Sequence, residues 1–313
     1  PLCVVLENNN KVSQTLAELK TFLPAASHQR LITLPDWETL AYDHINAHKE
    51  IITQRIHSLF AITQTNAPIV LLSATAYCSK LPPKTYIIRE SFACAVGQKM
   101  SIESFRSLML AKGYDEVKEV SDVGQFAIRG AIMDMILTDG TRHGYRIELF
   151  DDEVDSIRVL DIANHRSQSP LERIHIHPNR EFMHAKETQD MIRQRIALCP
   201  DHLQDDLCKK LKNPLHISGV DYYLPFFHAQ LDSIHAYIPQ DSLLIVPHDI
   251  LDTTAQIYQQ IQARYQSQIN QHRPVAHPDS LCSPFDSKQL LHALTYTLDY
   301  EETLAHAALL PKL

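Results

Sequence analysis

A loop that cradles phosphates needs glycines, so that successive backbone N–H groups can face the anion, together with a Lys and a Ser or Thr for phosphate and metal. This chain has seven glycines in all, with no GxxxxGK[ST], no Gly-Lys dipeptide and no GxGxxG. Neither common device for holding a nucleotide is present. There is no GxSxG elbow either, and no spacing of Ser, Cys and His singles out a triad. Eighteen histidines invite a metal reading, and His175 and His177 fall on one face of the expected strand Ile174-His175-Ile176-His177. Without a third ligand of suitable type nearby, solvated strand histidines are the simpler account. Catalytic, cofactor-binding and metal-ligating residues are therefore expected to be none.

What remains is recognition chemistry. The segment Phe126-Ala127-Ile128-Arg129-Gly130-Ala131-Ile132-Met133-Asp134 is followed by the turn signal Thr138-Asp139-Gly140-Thr141 and then by Tyr145-Arg146-Ile147-Glu148-Leu149-Phe150. Side chains alternate faces along a strand, so Tyr145, Ile147 and Leu149 point toward a core while Arg146, Glu148 and Phe150 point away. If Asp139-Gly140 forms a two-residue loop, paired positions sum to 279, with Arg129 opposite Phe150 and Met133 opposite Arg146. The two arginines and the Phe then share one patch, of the composition that interface hot spots have. The plainer alternative is Arg stacked on Phe as a small satellite cluster. The acidic run Asp151-Asp152-Glu153 reads as a solvated hairpin tip.

The elements that must carry this patch are legible in outline. At 313 residues the chain exceeds what one core usually organises, and two or three units are expected. Residues 1–90 alternate strands (2–6, 31–34, 68–73, 85–89) with helices (11–22, 48–62), the grammar of parallel α/β structure. A helix at 101–112 precedes closely spaced strands at 117–121, 125–137, 143–150, 154–160 and 171–177, an antiparallel meander holding five of the seven glycines. Helical patterns return at 186–198, 201–211, 250–271 and 287–308, with one strand at 243–246.

A net charge of −8 gives no global basic field of the kind that binds phosphate backbones without regard to sequence. Six cysteines without a CxxC pair suit a reducing cytoplasm, the expected location. No run is long and apolar enough to span a bilayer, and no signal-like region opens the chain. Pro1 leads directly into the strand Leu2-Cys3-Val4-Val5-Leu6, so the chain reads as a fragment.

Two stretches resemble a known family. Pro35-Asp36-Trp37-Glu38-Thr39-Leu40-Ala41-Tyr42-Asp43, followed by His48-Lys49-Glu50-Ile51-Ile52-Thr53-Gln54-Arg55, is similar to a signature near the start of bacterial transcription-repair coupling factors (Mfd). Ala127-Ile128-Arg129-Gly130-Ala131-Ile132-Met133-Asp134 and the run from Tyr145 to Asp161 look like the same family's second domain. The resemblance covers about residues 1–250 and thins beyond 270. It implies that the second domain docks UvrA, and that the contacting positions are Arg129, Arg146 and Phe150. It further implies that RNA polymerase, DNA, ATP and Mg²⁺ engage parts of the full-length protein outside this chain, an ATP-driven DNA translocase. In the resting full-length family members the docking domain is masked, so an isolated module is expected to bind UvrA constitutively.

The chain departs from the family's relative UvrB, a working ATPase. Where UvrB has an acidic D-E-S-H, Leu243-Leu244-Ile245-Val246 runs into Pro247-His248-Asp249, and only Trp37 to Tyr42 stands where UvrB has a DNA-gripping hairpin. From the coupling factors it departs at Ile136-Leu137, in the hairpin loop and at Asp115.

The expected fold class is α/β: a degenerate motor-like (UvrB domain 1-like) α/β domain made from residues 1–90 and 188–313, with an inserted α+β UvrA-binding domain at 91–187. That middle stretch holds sixteen acidic and twelve basic residues, a net of −4, which favours a protein partner over a DNA backbone. The rival readings are a UvrB-like damage-verification ATPase and a stand-alone scaffold for another partner.

Overall fold

In this computed structural model the described residues are 1–39, 41–43, 45–137, 143–183, 186–199, 201–211, 219–271, 273, 275–286, 289 and 293–296. The first stretch runs β1 (Leu2–Leu6), α1 (Asn9–Phe22), β2 (Leu31–Leu34), α2 (Lys49–Gln64), β3 (Ile69–Ser73), α3 (Ala74–Cys78) and α4 (Lys84–Glu90). The middle runs β4 (Phe92–Ala95), α5 (Ile102–Ala111), β5 (Asp115–Glu116), β6 (Gln125–Arg129), β7 (Ile132–Met135), β8 (Gly144–Phe150), β9 (Glu153–Asp161), β10 (Arg166–Leu171) and β11 (Arg173–Ile176). The last runs α6 (Lys186–Ile196), α7 (Asp201–Leu211), α8 (Leu224–Phe227), α9 (Ile234–Tyr237), β12 (Leu243–Pro247), α10 (Ile250–Asn270), α11 (Pro278–Leu281) and β13 (Ala293–Tyr296).

Strands from both ends of the chain form one parallel sheet in the order β13-β12-β1-β3-β2. Parallel strands covered on both faces need near-continuous apolar runs, which Leu2-Cys3-Val4-Val5-Leu6 and Ile69-Val70-Leu71-Leu72 supply. Helices begin where a side chain can satisfy their first N–H groups. Asn8 accepts from Lys11 N at 3.0 Å before α1, and Ser73 from Ala76 N at 3.1 Å before α3.

The middle stretch makes a six-stranded sheet, β10-β9-β8-β7-β6-β5, antiparallel except for the short β5–β6 pair, and a separate antiparallel ribbon of β4 and β11. β4 takes the chain into this region and β11 brings it back, with Ile176 opposite Phe92. Because entry and exit lie side by side, the flanking segments can pack together: one apolar core draws on residues between 3 and 87 and between 182 and 285, and another on residues between 94 and 176. A mixed α/β architecture with parallel and antiparallel sheets is thus found as the sequence suggests.

Several element expectations need correction. Residues 84–90 are a helix, not a strand: Pro82-Pro83 precede it, and Lys84 N–H donates to Asp232 Oδ2 at 2.8 Å. A short apolar run fits either element until its partners are known. The expected strand 117–121 is not formed: the strand here is Asp115–Glu116, just before it, and the N–H groups of Ser121 and Asp122 go to Gln125 Oε1 at 2.9 and 3.1 Å. The expected strand 125–137 is two strands, β6 and β7, reversed at Gly130, whose φ is +61°. β4 and β10 were not expected, and within the expected helix 287–308, Ala293–Tyr296 is an edge strand parallel to β12. The loop residues Asp139 and Gly140 lie outside the described residues.

Candidate protein-interaction site

β8 alternates as its sequence indicates. Tyr145, Ile147 and Leu149 are buried with Phe105 and Met109 of α5, and Arg146, Glu148 and Phe150 occupy the other face. The register differs by one residue from the expected one. Asp134, not Met133, is opposite Arg146, and Met133 pairs with Ile147 in the core. Arg129 pairs with Ile132 across the Gly130-Ala131 turn and is not opposite Phe150, because β6 and β7 are separate strands. Directly paired residues share a face. Arg129, Ile132, Glu148 and Ser156 therefore make one row, and Ala127, Asp134, Arg146 and Arg158 the next.

Asp134 organises this face. Its side chain is 1% exposed and lies between two guanidiniums. Arg146 donates from Nε to Oδ1 at 2.6 Å and from Nη2 to Oδ2 at 2.8 Å, and Arg129 donates from Nη2 to Oδ2 at 2.5 Å. A carboxylate withdrawn from water needs such charge-assisted partners. Donating its hydrogen bonds to Asp134 pushes the Arg146 pKa up, against the opposing effect of desolvation. Arg146 Nη1 also donates to Ser167 Oγ at 3.4 Å. Two cations around one anion leave one positive charge in this cluster, and Glu148 lies two residues along β8 on the same face, where its charge also raises the Arg146 pKa. Arg158 stands beside it.

Phe150 closes β8 as a residue 73% exposed, beside a shallow hollow lined by Lys99, Asp151, Asp152, Glu153 and Asp155. Four residues along the strand from Arg146, about 13 Å, it is on the same face but apart from the arginine–aspartate cluster. A ring this exposed is not the buried half of a stacked Arg–Phe pair. The acidic tip is solvated in its side chains, while its backbone is tied down: Met100 N–H donates to Asp152 O and Val154 N–H to Gln98 O.

Asp134 and Arg158 were missed by the sequence reasoning. The signal for Asp134 was available: an acid inside Ile132-Met133-Asp134-Met135-Ile136 has to find a basic partner. His177 is also not as expected, being buried rather than solvated. Its Nδ1 lies 2.9 Å from Ser91 Oγ and its ring packs 4.7 Å from Phe60 of α2. His175 stays exposed. Among the described residues no group of three or more His, Cys, Asp or Glu is arranged to hold a metal ion.

The stretch around Trp37 is a structural junction. Asp36 accepts from Asn9 Nδ2 at 3.1 Å and from Ser73 Oγ at 2.8 Å, joining the carboxyl ends of β1, β2 and β3. Trp37 packs edge-on to Tyr222 at 5.2 Å, and the Arg55 guanidinium lies 5.1 Å from the indole centre. Asp115, one of the departures noted above, pairs with Lys49 at 3.1 Å.

Comparison with known proteins bears on the same region. The family described as "UvrB interaction domain" matches residues 92–182, which contain β4 to β11. The transcription-repair-coupling factor of Haemophilus influenzae is 28% identical over 277 residues, covering 86% of this chain and 24% of that protein. That of Escherichia coli is 28% identical over 262 residues (81% and 22%), and that of Bacillus subtilis 28% over 263 residues (79% and 22%). The chain thus spans about a quarter of the length of these relatives. No described helix is long and apolar enough to cross a membrane. By sequence, then, the chain is similar over about four fifths of its length to bacterial transcription-repair-coupling factors, and its residues 92–182 match the family described as a UvrB interaction domain.

Proposed function

We propose that this chain is a non-catalytic binding module that recruits UvrA to RNA polymerase stalled at DNA lesions, in transcription-coupled nucleotide excision repair. The observation that carries the reading is the outward face of β6 to β8, where Arg129 and Arg146 converge on Asp134 and Phe150 stands exposed at the strand end. These are the positions that the family resemblance marks as UvrA-contacting, and they lie inside the UvrB interaction domain. Arginine and aromatic side chains presented on a preformed sheet face suit a protein surface. Residues 1–90 and 188–313 serve in this reading as a frame like the first domain of UvrB, stripped of its active site, that displays the domain at 91–187. ATP, Mg²⁺, DNA and RNA polymerase are then engaged by parts of the full-length translocase outside this chain.

Calorimetric titration with the cognate UvrA tests this, with an Arg129→Ala/Phe150→Ala double variant whose fold is checked by thermal unfolding. Binding in the micromolar range or tighter, with a loss of about 2 kcal/mol or more in the variant, is expected. No binding by the wild-type chain, or equal binding by the variant, defeats the reading and leaves a scaffold for another partner.

A further inference from the structure

Two cysteines from opposite ends of the chain meet in the parallel α/β part. Cys78 is the last residue of α3, and Cys282 follows α11 directly. The backbone joins them in a short antiparallel bridge: Ser79 lies opposite Cys282, Lys80 N–H donates to Leu281 O at 2.8 Å, and Ser283 N–H donates to Cys78 O at 2.8 Å. Both residues are buried and both are free thiols. They hydrogen-bond to one another, Cys78 S–H donating to Cys282 Sγ. Sulfurs that already hydrogen-bond across a bridge can be joined without the backbone movement that more distant pairs require.

The two thiols are not alike. The hydrogen bond from Cys78 lowers the Cys282 pKa below its usual value, burial opposes it, and the Lys80 charge adds to the fall. The same hydrogen bond, together with burial, holds Cys78 protonated. Burial alone acts on Cys3 and Cys94 and pushes their thiols up to about 12 and about 11. A cysteine attacks as its thiolate, so Cys282 is the buried sulfur prepared to react. It also forms part of the wall of a hollow of about 140 Å³, with Trp37, Thr75, Ser79 and Arg264, which has room for a molecule as small as hydrogen peroxide.

We propose that Cys78 and Cys282 are a peroxide-oxidised dithiol whose disulfide clasps the lead-in to β13 onto α3. In the first step the Cys282 sulfur attacks one oxygen of hydrogen peroxide. The O–O bond breaks, the departing hydroxide takes the Cys282 proton and leaves as water, and Cys282 carries S–OH. In the second, the Cys78 sulfur attacks the Cys282 sulfur, the S–O bond breaks, and hydroxide leaves with the Cys78 proton as a second water. Two thiols lose two electrons in all, and the peroxide gains them. In a reducing compartment the pair rests as thiols, and a dithiol reductant restores it. The clasp encloses residues 92–182 in one covalent loop, and it does not depend on the UvrA reading.

The test uses the 313-residue chain carrying Cys199→Ser/Cys208→Ser, which removes the two thiols nearest solvent. After treatment with hydrogen peroxide, mass spectrometry is expected to find the chain lighter by two hydrogen atoms, and a non-reducing digest to find the Cys78 and Cys282 peptides linked. The unfolding temperature should rise by about 4 °C or more, since closing so long a loop restricts the unfolded chain, and dithiothreitol should reverse both changes. In a further Cys78→Ala variant, first shown to unfold cooperatively, peroxide should leave a sulfenic acid on Cys282 that dimedone captures. The proposal is overturned if the two peptides stay unlinked, if the link forms without moving the unfolding temperature, or if dimedone captures nothing at Cys282.

Discussion

A side chain's contribution to this surface depends on whether its charge or ring is already spent inside the fold. Phe150 is largely solvated, so Phe150→Ala should change the urea-unfolding free energy by no more than about 0.5 kcal/mol while lowering UvrA affinity by about 2 kcal/mol or more. Asp134→Ala should do the reverse to stability. It leaves two guanidiniums without their shared acceptor, one of them mostly buried, and is expected to cost about 1–3 kcal/mol in urea unfolding. Alternation along β8 was enough to place Arg146 and Phe150 on the outward face. The role of Asp134 was not legible in this way, because it depends on which β8 residue lies opposite, a matter of register across a loop.

At the level of elements, turns decide that register. Gly130 and Gly124 both have positive φ, +61° and +81°, yet their surroundings differ. A Cβ at Gly130 meets nothing within 4 Å, whereas at Gly124 it would come within 2.4 to 2.8 Å of the Asn179 side chain. Gly130→Ala should therefore cost only the backbone conformation, about 1–2 kcal/mol. Gly124→Ala adds a collision with a side chain that also donates from Nδ2 to Gly113 O at 2.9 Å, and should cost about 2–4 kcal/mol. Equal losses in urea unfolding would contradict the packing given to Asn179. Gly130 also explains why one long strand was expected where two exist. The period-2 pattern continues on both sides of it, and only a chain reversal with a partner on each side reveals the break.

Across the whole molecule, buried polar links hold distant segments together. Arg55 of α2 is fully buried, donates from Nε to Glu181 Oε1 at 2.6 Å and from Nη1 to Pro35 O at 2.6 Å, and so joins the first stretch to the segment that follows β11. Arg55→Ala strands Glu181 and should cost about 3–5 kcal/mol in urea unfolding. Asp221 accepts from Ala47 N at 3.0 Å, and burial pushes its pKa up to about 6, with the nearby Glu181 charge adding to the rise. A carboxyl with a raised folded pKa binds its proton more tightly when folded, so its contribution to stability is largest below the ordinary carboxylate range and is lost as pH rises through about 6. The stability of wild type minus that of Asp221→Asn should accordingly fall by about 2–3 kcal/mol between pH 4 and pH 7. A difference that stays flat across this range would show that Asp221 titrates like a solvated carboxyl.

The mixed α/β class, the outward trio Arg146, Glu148 and Phe150, and the missing GxxxxGK[ST] pattern were legible in the sequence on its own, because side-chain period and glycine placement are local properties. Tertiary structure alone decided that residues 84–90 coil into a helix, that Ala293–Tyr296 extends the parallel sheet, and that Asp134 lies between Arg129 and Arg146. Each of these outcomes depends on a partner far along the chain. A short apolar run is stable in either conformation, and a buried charge in neither, until that partner is in place.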